Sequence, residues 1–220
     1  MKTSDSTLHY RPLLPADIGH VPLQHQGTPA AVRARVAACG SSAMLVFDGT
    51  RCVGQLQFRP YVPDTGSPNG LHDPLYWMDF HGSVLALPAP TLTLFCYHVG
   101  QLDDTDARDP RYFGRGIGIR LLEETIAWAT KAGFTAIVAK GLTALRPVIE
   151  YMGGLPAAVY GAHRFVEAVS YHDAALRAAL EEMLAGHYGA ARQDALRTLV
   201  QTGASLDEAA RITICVRRLP

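Results

Sequence analysis

Apolar positions along the chain change their period several times, and the changes mark its elements. Leu8-His9-Tyr10-Arg11-Pro12 reads as an opening strand, followed by a turn of helix at Leu14-Pro15-Ala16-Asp17-Ile18. Thr28 before Pro29 is an N-cap with proline at the first helical position, so a helix is predicted from Pro29 to about Ala38, ended near Gly40. Met44-Leu45-Val46-Phe47 and the run from Cys52 to Phe58 are β-rich and joined through Asp48-Gly49, a strong hairpin signal. Thr91 to Val99 carries apolar residues at both parities, as a central strand requires. Ile117 to Ala132 repeats apolar residues at helical spacing and stops at Gly133, and Thr135 to Ala139 is strand-like again. Alanine- and leucine-rich sequence after Asp173, interrupted at Gly186 and Gly189 and ending near Gly203, predicts two helices. Ser205-Leu206-Asp207-Glu208 is a capping box, and Arg211 to Val216 a terminal strand.

Between the third and fourth strands, Pro60, Pro63, Pro68, Pro74, Pro88 and Pro90 punctuate a connection too long for an ordinary loop. Its Tyr76-Trp77-Met78-Asp79-Phe80 core favours order. The 220 residues suffice for one domain with a substantial core, in which 172–208 reads as mainly helical. Twenty basic and twenty acidic residues balance without a basic block, which removes the long-range field that gathers nucleic acid. Met1-Lys2-Thr3-Ser4-Asp5 lacks an apolar signal core, and no run approaches the roughly 18 residues of a membrane span, so a cytoplasmic protein without membrane contact is expected. Cys39, Cys52, Cys96 and Cys215 are far apart and fit reduced thiols better than a disulfide frame or a zinc site. Asp103, Asp104, Asp106 and Asp109 read as turn residues, lacking the glycine and spaced oxygens of a calcium loop.

Candidate chemistry concentrates in Phe113-Gly114-Arg115-Gly116-Ile117-Gly118-Ile119, where alternating glycines open directly into a helix. Glycine admits backbone conformations that a side chain forbids, and the unpaired N–H groups of a first helical turn sit at the positive end of the macrodipole. Together they make a seat for phosphate or pyrophosphate. A P-loop is excluded, because Gly118 is followed by Ile119 and Arg120 instead of lysine and a hydroxyl. The dinucleotide fingerprint fits poorly: its third glycine falls on Ile119 or Leu121, and Lys140 follows the next strand where an acidic residue is wanted.

The segment resembles the acyl-CoA loop of the GNAT superfamily of N-acetyltransferases, Gln/Arg-x-x-Gly-x-Gly/Ala between a strand and a helix. Phe113 departs from the Gln/Arg position, whereas Arg111-Tyr112-Phe113-Gly114-Arg115-Gly116 satisfies the pattern in an earlier register. Tyr160-Gly161-Ala162-His163-Arg164-Phe165 keeps the spacing of the family's Tyr-x-x-x-Gly-Phe element, with Arg164 in the glycine place. The resemblance implies an α/β (α+β) GNAT fold: a central mixed, largely antiparallel sheet of about seven strands, flanked by helices, with 172–208 as a helical insertion before the last strand. It implies transfer of an acetyl group from acetyl-CoA to a small-molecule or peptide amine by direct attack on the thioester, with no metal. Arg111, Phe113, Gly114, Arg115, Gly116, Ile117, Gly118 and Ile119 would hold the coenzyme, and the backbone of Val99 would face the thioester carbonyl. Tyr160 would be the general acid or pack beneath the coenzyme. His98 would be the general base or a buried histidine bonded to backbone. His72, Asp79, His81 and Glu150 are further acceptor-site candidates with ordinary surface roles as the alternative. A homodimer also fits the resemblance. Two other readings stay open: a coenzyme-binding protein without turnover, and an acyltransferase using a longer acyl-CoA.

Overall fold

The hairpin through Asp48 and Gly49 frames the first part of the molecule. Strands β2 (Ala43–Asp48) and β3 (Arg51–Pro60) pair antiparallel, β1 (His9–Pro12) adds to β2, and β4 (Thr91–Val99) adds to β3. Both β3 and β4 are buried along nearly their whole length, as expected of central strands. The computed structural model describes residues 8–61, 86–105 and 107–220. These fall into two compact units, the first containing 8–61, 88–137 and 219–220, the second 86–87 and 138–218. The Tyr76–Phe80 core, His72, Asp79 and His81 lie outside the described residues.

In the first unit the two faces of β3 and β4 differ. Leu56 and Phe58, opposite Tyr97 and Leu94, face helix α2 (Ile117–Lys131), whose Trp128 stacks on Phe58 at 4.8 Å. The other face looks toward α1 (Pro29–Cys39), whose Val32 and Val36 join Leu13, Ala43, Leu45 and Phe47 in an apolar cluster. Thr28 caps this helix by accepting from the Ala31 N–H at 3.3 Å, and Gly40 ends it in the left-handed conformation.

The second unit carries β5 (Ala136–Leu142, which begins in the first unit), β7 (Val166–His172) and β8 (Arg211–Arg218) in the order β5-β8-β7, with the short β6 (Leu155–Pro156) parallel to β5. Helices α5 (Ala174–Leu184), α6 (Ala190–Gln201) and α7 (Leu206–Ala209) stand between β7 and β8 in sequence. Ser205 Oγ accepts from the Glu208 N–H at 3.1 Å, as the capping-box reading requires. Two short helices, α3 (Arg146–Met152) and α4 (Ala157–Ala162), fill a stretch for which the sequence pattern predicted nothing. The whole is a mixed α/β fold with eight strands, mostly antiparallel, flanked by helices.

Four helices end in the same hydrogen-bond pattern. In α2, Gly133 N–H donates to Thr130 O and Phe134 N–H to Ala129 O, with Gly133 at φ +82°. This is a Schellman cap, and Gly186 and Gly203 occupy the same position after α5 and α6. After α4 the bonds are Arg164 N–H to Gly161 O and Phe165 N–H to Tyr160 O, but the left-handed residue is Arg164, at φ +64°. The Tyr-x-x-x-Gly-Phe spacing is thereby explained as a helix stop whose hydrophobic clasp is the Tyr160–Phe165 ring contact at 5.1 Å. The left-handed conformation costs a non-glycine residue about 1–2 kcal/mol, part of which glycine returns as unfolded-chain entropy. Arg164→Gly is therefore expected to stabilise the protein by about 0.5–1 kcal/mol, read as a raised urea midpoint. A lowered midpoint would show that contacts of the arginine side chain outweigh its strain.

Candidate active site

The glycine loop presents open backbone at the start of α2. Gly114 and Gly116 both take left-handed conformations, at φ +69° and +72°, and Gly116 is the N-cap of α2. A Cβ on either would meet nothing within 4 Å, so the loop presents open backbone. The N–H groups from Gly114 to Ile119 donate no hydrogen bond among the described residues. Ile117 anchors the helix start in the core, Gly118 is half-buried, and Phe113 and Ile119 are exposed apolar flanks. The Arg111 and Arg115 guanidiniums lie 6.0 and 5.8 Å from the Tyr112 ring centroid, bringing two cations to the mouth of the loop. Arg111 is also paired with Asp109 through Nη2 at 2.6 Å, while 73% of its side chain remains exposed.

Short bonds tie this loop to the end of β4. Gly100 N–H donates to Val53 O at 2.8 Å, and Asp109 N–H donates to Gly100 O at 2.7 Å. A Cβ at Gly100 would stand 2.5 Å from Asp109 O and 3.2 Å from the Phe113 ring, so only glycine permits the approach. Tyr112 is buried and donates its hydroxyl to Asp48 Oδ2 at 3.1 Å. His98, Val99 and the glycine loop thus share one frame. Gly54, opposite Val99, has no room for a side chain either, since a Cβ would lie 2.7 Å from His98 O.

On the α1 side of β3 and β4 the structure reveals a polar chamber that the sequence reading missed. Gln55 stands opposite His98, Gln57 opposite Cys96 and Arg59 opposite Thr93, and all six are buried. Gln26, fully buried, donates through Nε2 to Gln55 Oε1 at 3.1 Å and accepts from Ser42 Oγ at 2.5 Å. Gln55 and Gln57 donate to the carbonyls of Pro22 and Leu23 at 2.9 and 3.2 Å. Arg35 donates to the Gln26 carbonyl, and the Arg59 guanidinium lies 5.3 Å from the Phe95 ring centroid. Burial, with Arg35 adding to it, brings Arg59 down to about 10. Buried side-chain atoms here that lack a hydrogen-bond partner among the described residues include His98 Nε2, Gln57 Oε1, Thr93 Oγ1 and Arg35 Nε. Orphaned buried polar atoms on one face mark a place where another molecule or water docks. The available signal was the alternation Gln55-x-Gln57-x-Arg59, which by itself reads as a solvent-facing strand.

His98 has a definite tautomer. Gln101 donates through Nε2 to Thr105 O, which turns its Oε1 toward His98 Nδ1 at 2.6 Å. Nδ1 therefore carries the proton and Nε2 the free lone pair. Burial, then the neighbouring His25, drives the imidazole down to about 3 from its ordinary 6.5, against the smaller upward pull of Gln101. Between these values the unfolded chain binds a proton that the folded chain refuses. Stability is full above pH 6.5 and is lost as pH falls toward 3. From pH 7.5 to 5, urea unfolding in EDTA-treated buffer should show a loss of about 2 kcal/mol, at about 1.4 kcal/mol per pH unit below 6.5. His98→Gln should abolish that dependence; its persistence would assign it to other groups.

Elsewhere the predicted residues have ordinary surroundings. Asp103 and Asp109 accept N–H bonds from residues two positions on, as turn residues do, whereas Asp104 accepts from the distant Leu23 and Gln24. Glu150 pairs with Arg146 on α3. Burial pushes Cys52 up to about 11 and Cys215 up to about 12, which leaves both thiols inert. Tyr160 lies in the second unit, 2% exposed, on α4.

No family sequence model matches the chain, and no curated protein matches it in sequence. Among solved structures it is similar to yncA of Salmonella typhimurium with its cofactor acetyl-CoA, at 14% identity and a TM-score of 0.50, over 97% of this chain and 94% of that one. The fold is the GNAT fold. Two other structures, an acetyltransferase of the GNAT family from Streptococcus pneumoniae and the GphF GNAT-like decarboxylase in complex with isobutyryl-CoA, each have a TM-score of 0.48 and 15% identity. They cover 97% and 96% of this chain and 100% of their own. At such identities the likeness is one of fold, and the GNAT fold of this chain leaves its chemistry to be argued from its own residues. Among the described residues no helix is long and apolar enough to cross a membrane.

Proposed function

We propose that the protein is an acyl-CoA-dependent N-acyltransferase that carries an acetyl group from acetyl-CoA to a small-molecule or peptide amine. The observation that carries this reading is the rigid link between two half-sites in the first unit. An open glycine loop with undonated N–H groups at a helix start is tied, through Gly100 and Asp109, to a strand end bearing a buried imidazole lone pair. The backbone from Gly114 to Ile119 holds the coenzyme pyrophosphate, with Arg111 and Arg115 as flanking cations and Phe113 and Ile119 as apolar edges. The acceptor enters the polar chamber, where Gln57 Oε1, Thr93 Oγ1 and His98 Nε2 offer acceptor atoms to its N–H groups.

The amine nitrogen attacks the thioester carbonyl, aided by a backbone donor at Val99, and forms a tetrahedral adduct. One such donor is worth roughly 3 kcal/mol in a transition state. His98 Nε2 takes the ammonium proton of the adduct, the C–S bond breaks, and the amide and the coenzyme thiolate leave. The resemblance gives the protonation of that thiolate to Tyr160. Arg164, the departure from the family's glycine, occupies the left-handed position glycine would fill and so does not count against activity.

Calorimetric titration with coenzyme A, acetyl-CoA and NADPH tests the reading. Micromolar binding of the coenzyme A pair without NADPH binding is expected, followed by turnover on an amine panel. No coenzyme binding, or preference for NADPH, would overturn it.

A further inference from the structure

His25, Cys96 and His98 come together across 71 residues of sequence, and their coordinating atoms all lie within 4.8 Å of one another. We propose that these three residues bind a zinc-class divalent ion, and that its occupancy silences acyl transfer by taking the His98 lone pair. The second part rests on the transferase reading; the first does not.

The geometry is close to complete. His25 Nδ1 and Cys96 Sγ are 3.6 Å apart. Nitrogen and sulfur ligands on a tetrahedral zinc, at bond lengths of about 2.0–2.1 and 2.3 Å, stand about 3.5 Å from each other. Cys96 and His98 share one face of β4 at a spacing of two, while His25 comes from the turn at Gln24–Gln26. That turn is held from the far side by Asp104, whose Oδ1 accepts from the Leu23 and Gln24 N–H groups at 2.8 and 2.9 Å. His98 is arranged as metal-bound histidines are. Its Nδ1–H is fixed on Gln101 Oε1, and its Nε2 is buried without a hydrogen-bond partner among the described residues. The rings of His25 and His98 are 5.3 Å apart and tilted by 55°, with His25 the less buried of the two and hence the side of access. A thiolate with two imidazoles selects zinc or copper(I) over magnesium and calcium. On binding, the Cys96 thiol loses its proton to solvent and both imidazoles bind neutral, so one proton is released per ion. Among the described residues these three supply the ligands, leaving a fourth position for water.

The test is titration of the metal-free protein with zinc chloride by calorimetry, in two buffers of different ionisation enthalpy, and with cobalt(II) by absorption. One ion per chain, one proton released and a thiolate-to-cobalt(II) charge-transfer band are expected. His25→Gln and Cys96→Ser should each weaken binding at least 100-fold, with coenzyme A titration confirming that each variant is folded. Absence of the band, or binding that survives both substitutions, overturns the site. In the transferase assay, zinc should halve the rate at the concentration that half-fills the site, and His25→Gln should resist it. Zinc binding without loss of rate overturns the silencing. A protein with no transferase activity at all would sink the functional reading while the titrations still decide the site.

Discussion

Replacing His98 with glutamine should lower acetyl transfer by about a hundred- to ten-thousandfold, the range associated with a positioned general base. Glutamine matches the imidazole in polarity and approximate length, and it can still bond Gln101, so the chamber stays filled. What it lacks is a basic lone pair where Nε2 stands buried, without a hydrogen-bond partner among the described residues. Because the glycine loop lies on the other side of Gly100, affinity for acetyl-CoA should change by less than about threefold, about 0.6 kcal/mol. Single-turnover rates and calorimetry on the same preparation separate the two effects. Turnover within tenfold of the parent would remove His98 from the chemistry and leave it as a packing residue.

Gly116→Asp should weaken coenzyme A binding at least 100-fold, or about 2.7 kcal/mol, with little loss of stability. Asp tolerates the left-handed region better than most residues, and at φ +72° with nothing within 4 Å of its Cβ it meets no clash. At the N-cap of α2 its carboxylate takes the N–H groups proposed to hold the pyrophosphate and repels what it does not displace. Gly116→Ala, which adds bulk without charge, should bind within a few-fold of the parent. If the aspartate variant binds coenzyme A normally, the loop is a structural turn and the pyrophosphate is held elsewhere. Equal losses in both variants would indicate backbone distortion instead of electrostatic competition.

Where one element's own sequence determines its structure, the chain is readable. The strand Thr91–Val99 has the bounds its apolar run predicts, and the hairpin forms at Asp48-Gly49. The helix stops at Gly40 and Gly133 follow from glycine's freedom at positive φ. Helices of seven and six residues, α3 and α4, are too short to display a period, and both begin at prolines that read equally well as loop. The open backbone of the glycine loop and the helix start after it could be read because they are set by contiguous residues. The polar chamber could not, since its walls come from Gln26, Ser42, Gln55, Gln57 and His98, and only tertiary packing turns an alternating polar strand inward. For the same reason four scattered cysteines gave no hint that Cys96 would meet two histidines.

The burial of His98 bears on which amines the chamber can use. Burial pushes the His98 imidazole well below its ordinary value and makes it a weak base toward a free alkylammonium, so in the proposed reaction the acceptor docks neutral and gives up its proton as part of the adduct. The chamber is thus a basicity filter. An α-amino group, with an ordinary value near 8, is about two-hundredfold richer in neutral form at pH 7 than a lysine side chain near 10.4. On the proposed reaction the acidic limb of the rate profile then belongs to the acceptor, and its midpoint reads out which kind of nitrogen is acylated.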